Sequence, residues 1–127
     1  MTIVTIVRRY DFEAAHFLPH VPDGHKCKTM HGHSYVVEVH ITGPVQESGP
    51  ETGMVVDFGV VDDIARRLFD TWDHRPLNEL FPNPTVEVMA PIVQRHVSAA
   101  LNAPHLSVRV HFNEGPRSSC IYPPYAP

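Results

Sequence analysis

His31-Gly32-His33 sets two imidazoles two residues apart. On an extended strand that spacing puts both on one face, with side-chain origins about 6.5–7 Å apart. Two imidazoles so placed can converge on one metal ion. His16 ends another alternating segment, on its apolar side. A polar group on a buried face is costly unless it is paired or bound to a metal. His16, His31 and His33 therefore read as a three-histidine zinc site with an open fourth position, the arrangement of catalytic zinc. They also have a plainer reading, as hydrogen-bonded histidines at strand ends. Glu114 extends the apolar face of a third alternating segment; by itself a carboxylate there is usually just solvated.

Cys27 lies four residues before His31, between Lys26 and Lys28. Flanking cations favour the thiolate, and so a nucleophile or base near neutral pH. Two other readings stay open: an inert loop cysteine, or a fourth zinc ligand that closes the site and makes it structural. Asp73-His74 pairs a carboxylate with an imidazole that it could orient and make more basic, although adjacent residues need not face each other.

The elements that must position these groups follow from periodicity. Residues 3–16 alternate, with Val4, Ile6, Tyr10, Phe12, Ala14 and His16 on the even side, which indicates a long strand, bent or bulged. Residues 31–42 alternate with Tyr35, Val37, Val39 and Ile41 on the odd side. Leu106, Val108, Val110 and Phe112 mark a third strand, and Cys120-Ile121-Tyr122 a short fourth. Between the second and third lie two helical stripes. One is Val60, Val61, Ile64, Ala65, Leu68, Phe69 and Trp72, capped by Asp57. The other is Val88, Met89, Ile92, Val93, Val97, Ala100 and Leu101, capped by Thr85. Pro91 predicts a kink or a late start in that second helix. The order strand, strand, helix, helix, strand, strand predicts an α+β fold, with both helices on one face of a four-stranded antiparallel sheet.

Composition narrows the function classes. The 127 residues suit one domain, 1–127, and 43% hydrophobic with 19% charged residues is a globular balance. Fourteen acidic against ten basic side chains give a formal charge of −4, without the basic footprint of a nucleic-acid binder. No apolar run approaches a membrane span, and the first residues lack the pattern of a signal peptide. Two cysteines do not make a disulfide framework, so the expected compartment is the reducing cytoplasm.

Six short motifs occur in order. They are Phe12-Glu13-Ala14-Ala15-His16, Cys27-x-x-x-His31-Gly32-His33, Asp57-Phe58, Asp73-His74-x-x-Leu77-Asn78, Asn83-Pro84-Thr85-x-Glu87, and Glu114 followed by Cys120-Ile121-Tyr122. The string resembles the 6-pyruvoyltetrahydropterin synthase superfamily. Three residues between the cysteine and the first histidine of His-Gly-His suit its bacterial branch, the 6-carboxytetrahydropterin synthases of queuosine biosynthesis.

The resemblance implies the tunnelling fold, in which sheets of three subunits close into a barrel, usually stacked as a homohexamer, with active sites between subunits. It implies Zn2+ on His16, His31 and His33, Cys27 as the catalytic group with Asp73 and His74 as its proton-transfer partners, and Glu114 as the pterin anchor. Thr85 and Glu87 fall on a motif near the pocket. The implied activity is that of a lyase that converts 7,8-dihydroneopterin triphosphate to 6-carboxy-5,6,7,8-tetrahydropterin, with release of acetaldehyde and triphosphate. Two alternatives are a pyruvoyl-forming or side-chain-cleaving relative, and a non-enzymatic, zinc-stabilised oligomeric binding module. The loop from Gly43 to Gly53, Pro91 and the end from Pro123 to Pro127 depart from the family pattern.

Overall fold

Period-two alternation of β-branched and aromatic residues makes Ile3–His16 (β1) and His31–Pro44 (β2) two long strands. The computed structural model describes residues 1–126. The two strands pair antiparallel in one uninterrupted register, from Ile3 opposite Pro44 to His16 opposite His31, so the expected bulge in β1 is absent. Ser107–Glu114 (β3) pairs with β2, and Ser118–Tyr122 (β4) with β3. The sheet order is β1-β2-β3-β4, with β1 and β4 at the outer edges. The final residue of the proline-rich end, Pro127, lies outside the described residues.

Two helices cover one face. Phe58–Phe69 (α1) begins where Asp57 Oδ1 accepts the Gly59 N–H at 2.8 Å, and Val86–Leu101 (α2) where Thr85 Oγ1 accepts the Val88 N–H at 3.2 Å. Both caps are the expected ones, each stabilising its helix by about 1 kcal/mol. α2 continues through Pro91 with no late start. Pro91 is only the sixth residue of the helix, and its missing N–H would have reached the carbonyl of Glu87, an exposed residue where water can substitute.

The core forms between the helices and one face of the sheet. Phe12 and Ala14 of β1, Tyr35 to Ile41 on the odd positions of β2, and Val108, Val110 and Phe112 of β3 meet Val61, Ile64, Ala65, Phe69, Met89, Ala90, Val93 and Val97. Phe12 stacks on Tyr35 with ring centroids 5.0 Å apart. Val60, Val88 and Ala100 face outward, so each helical stripe is narrower than its sequence suggests. A polar clamp ties α1 to the edge strand. Arg8 donates twice to Asp62, at 2.8 and 2.9 Å, and the Tyr10 hydroxyl donates to the same carboxylate at 2.7 Å. No described helix is long and apolar enough to cross a membrane.

Candidate active site

At the end of β1 and the start of β2 the register makes His16 and His31 cross-strand partners, and His33 follows two residues along. The core-facing parity of both strands turns all three rings to the helix side. Ring centroids lie 4.7 Å (His16–His31), 5.0 Å (His16–His33) and 4.9 Å (His31–His33) apart. One nitrogen from each lies within 4.8 Å of the other two.

Two backbone carbonyls settle the tautomers. His16 Nδ1 is 2.8 Å from the Pro84 carbonyl oxygen, and His31 Nδ1 is 2.7 Å from that of Thr29. A carbonyl only accepts, so in each ring Nδ1 carries the hydrogen and the Nε2 lone pair is free. This outer hydrogen bond is the usual support of a metal-ligating histidine. His33 Nε2 is buried and has no hydrogen-bond partner. Burial lowers the His33 pKa, with the Glu114 carboxylate pulling the other way, and this favours the neutral, ligating ring. An orphaned buried nitrogen among free Nε2 lone pairs is the chemistry of a metal site, and the residues fit one.

Glu114, at the end of β3, stands 3.6 Å from His33 Nε2 and 3.9 Å from His16 Nε2. These groups line a cleft of about 710 Å³, together with Cys27, Lys26, Thr85, Glu87, Ser118, Ser119 and Cys120. Cys27 sits in a single 3-10 turn, Lys26–Lys28, whose first free N–H is satisfied by His25 Nδ1 at 3.0 Å. The Cys27 carbonyl accepts from Leu18 N–H at 2.8 Å, which ties the turn to the chain beyond β1. Cys27 borders the cleft without joining the three converging nitrogens, an arrangement that leaves the histidine centre open. Lys28 is drawn away by the Val21 carbonyl (2.9 Å) and Asp23 (3.1 Å), so only one of the flanking lysines lines the cleft. Burial, then Glu87, pushes the Cys120 thiol up, away from the reactive thiolate form.

Asp73 and His74 do pair, with His74 Nδ1 2.8 Å from Asp73 Oδ1. Asp73 also accepts the Glu13 N–H at 3.0 Å, the leading cause of its lowered pKa. His74 has φ 59°, a left-handed conformation that costs a non-glycine residue about 1–3 kcal/mol. Its backbone N–H meets the Glu13 carbonyl, and Ala15 N–H meets the Arg75 carbonyl, so residues 73–76 run along the open edge of β1. His74 is 76% exposed and borders a second hollow, of about 520 Å³, with Glu13, Ala15 and Ser34; of the three clustered histidines His33 alone lines both this hollow and the cleft of Cys27. Glu13 and Ala15 point to the opposite face of the sheet from His16. Within one chain, then, the Asp73–His74 pair does not line the cleft of Cys27.

Other functional features carry little signal in the sequence. The Pro84 and Thr29 carbonyls could not be singled out, because any residue supplies a carbonyl. Asn78 clamps the chain after His16, accepting from Phe17 N–H at 2.9 Å and donating to the Phe17 carbonyl at 2.8 Å. The Asp-His-x-x-Leu-Asn motif thus serves partly as scaffold.

A family model described as 6-pyruvoyl tetrahydropterin synthase matches residues 5–124. The chain belongs to this family. Within the 6-pyruvoyl tetrahydropterin synthase family, it resembles the 6-carboxy-5,6,7,8-tetrahydropterin synthase of Haemophilus influenzae, 38% identical over 54% of this chain and 48% of that protein. It is also 38% identical to the protein of that name from a Synechocystis species, over 67% of both. The matches cover about half to two thirds of the length of these curated relatives. The solved structure of Caenorhabditis elegans 6-pyruvoyl tetrahydropterin synthase superposes with a TM-score of 0.83, at 31% identity over 96% of each chain. That of the Plasmodium falciparum protein of the same name has a TM-score of 0.74 at 16% identity, which shows the fold alone.

Proposed function

We propose that this chain is a zinc-dependent lyase of queuosine biosynthesis. It converts 7,8-dihydroneopterin triphosphate to 6-carboxy-5,6,7,8-tetrahydropterin and releases acetaldehyde and triphosphate. The observation that carries the reading is the buried, unpartnered His33 Nε2, facing the free lone pairs of His16 and His31 in the cleft that Cys27 borders. His16, His31 and His33 hold the zinc ion. When bound there, zinc acts as a Lewis acid toward side-chain oxygens next to the pterin ring.

The chain's own residues supply the rest. Glu114 accepts paired N–H bonds from the pyrimidine edge of the pterin. Cys27, as thiolate, takes a carbon-bound proton, and His74, oriented by Asp73, moves protons at the side-chain oxygens. Thr85 spends one lone pair on its helix cap, and its hydroxyl proton stays free to meet substrate beside Glu87.

The separation of Asp73–His74 from Cys27 within one chain supports an active site completed between subunits. A homo-oligomer, trimer or hexamer, in which the β1 edge of one sheet meets the β4 edge of the next would also cover two open strand edges. A cytoplasmic location follows from the same reading, since two free cysteines suit a reducing compartment.

One observation favours a second reading. The C. elegans pyruvoyl-forming namesake matches 96% of the chain at 31% identity. Incubation of the zinc-loaded chain with dihydroneopterin triphosphate, with every product identified by mass spectrometry and acetaldehyde assayed in parallel, tests both. The carboxylated pterin with acetaldehyde is expected. A pyruvoyl product without acetaldehyde would establish the second reading, and intact substrate together with chelator-induced unfolding would establish a structural zinc module.

A further inference from the structure

β2 carries a second pair of donors two residues apart, Glu38 and His40, and a third stands across from the first of them, because His111 of β3 is the register partner of Glu38. This repeats the plan of the first centre, where His31 and His33 lie two apart and His16 is the register partner of His31. Residues 31 and 33 point to the helices. Residues 38 and 40, an odd number of positions further on, point to the opposite face of the same strand.

The His40 and His111 rings lie parallel, with centroids 4.0 Å apart and 9° between their planes. One donor atom from each of Glu38, His40 and His111 lies within 4.8 Å of the other two, and all three side chains are half-buried. We propose that Glu38, His40 and His111 form a second metal site, for a divalent transition ion such as zinc or nickel, separate from the His16–His31–His33 centre.

Two imidazoles and one carboxylate are a donor set that such ions take readily. Donors about 2.1 Å from a tetrahedral ion lie about 3.4 Å from one another, so the backbone already holds the three groups within reach and the stacked rings turn about their side-chain bonds until their in-plane lone pairs converge. Occupation exchanges two weak bonds for coordination: His40 Nε2 to Glu38 Oε1 at 3.0 Å, and His111 Nε2 to the Tyr125 hydroxyl at 3.1 Å. Arg9 grips the other carboxylate oxygen of Glu38 and so aims Oε1 at the imidazoles, a supporting contact of the kind that orients metal ligands. Arg109 does not compete for the carboxylate, since its Nε donates to the Pro123 carbonyl and its guanidinium lies over the Tyr125 ring.

Titration of the full metal-free chain with zinc, and separately with nickel, tests the proposal when calorimetry is joined to native mass spectrometry to count ions. The unaltered chain is expected to take two ions, and His31→Ala one. His111→Gln and Glu38→Gln should each lose one or weaken it at least tenfold, and His31→Ala/His111→Gln should take none. A single ion per unaltered chain that His31→Ala removes overturns the proposal, as does an ion retained by His31→Ala that survives both His111→Gln and Glu38→Gln. Circular dichroism of each metal-free variant checks the fold. Should His111→Gln unfold, Glu38→Gln carries the test, because it keeps the shape of the side chain.

Discussion

His16 Nδ1 donates a hydrogen bond to the Pro84 carbonyl across 2.8 Å, and so joins the end of β1 to the residue just ahead of the α2 cap, 68 positions away. The contact aims Nε2 into the cleft and also ties a strand to a helix. His31 makes its equivalent bond to Thr29, only two residues off.

The two histidines should therefore separate in stability while agreeing in metal binding. His16 is 2% exposed, so metal-free His16→Ala is expected to lose about 2–3 kcal/mol by urea unfolding. His31→Ala should lose less than about 1 kcal/mol. Both should bind zinc at this centre at least about 100-fold more weakly. Equal destabilisation would show that the Pro84 contact does not tether α2.

Cys27 and His74 border different surfaces of one chain. Cys27→Ala and His74→Ala should each fold and lower turnover by orders of magnitude. Mixed subunits of the two variants should then recover about a quarter of the original activity, since random pairing restores an intact site in that share of interfaces. No recovery after co-refolding would place both groups in one subunit's site.

Glu114→Gln keeps the shape but removes the charge that pairs with two N–H donors. Steady-state kinetics should show KM raised at least tenfold with kcat changed far less. An unchanged KM would remove the anchor role.

The Asp62 carboxyl, held by Arg8 and Tyr10, has its pKa pulled from 3.8 to about 2. A folded-state pKa below the unfolded one stabilises above the unfolded value and is lost as pH falls through the folded one. Asp62→Asn should thus melt below the unaltered chain at neutral pH. The gap should close between about pH 4 and pH 2, and narrow in high salt because Arg8 is half exposed. A gap independent of pH would assign the clamp's effect to packing.

Strand parity made much of the site legible in advance. His16, His31 and His33 could be placed on one face because side chains alternate on a strand free of bulges, and the uninterrupted register preserved that parity over the full length of β1. Helix faces were less legible. Val60 and Val88 belong to apolar stripes, yet lie at the surface, since only part of each stripe is buried. Pro91 misled for a local reason, as it falls where an exposed carbonyl can turn to water.

The sequence by itself determined the α+β order, the two caps, the three-histidine face and the family, because each rests on short-range spacing or on motifs read in order. Only the tertiary structure decided which nitrogen of each ring is free. It alone set Asp73–His74 along the edge of β1, outside the cleft that Cys27 borders, and brought Glu38, His40 and His111 together. Those relationships depend on register between strands and on bonds to backbone carbonyls. A carbonyl is the same in every residue, and register is set by the packing of whole elements, so neither leaves a mark on a single stretch of sequence.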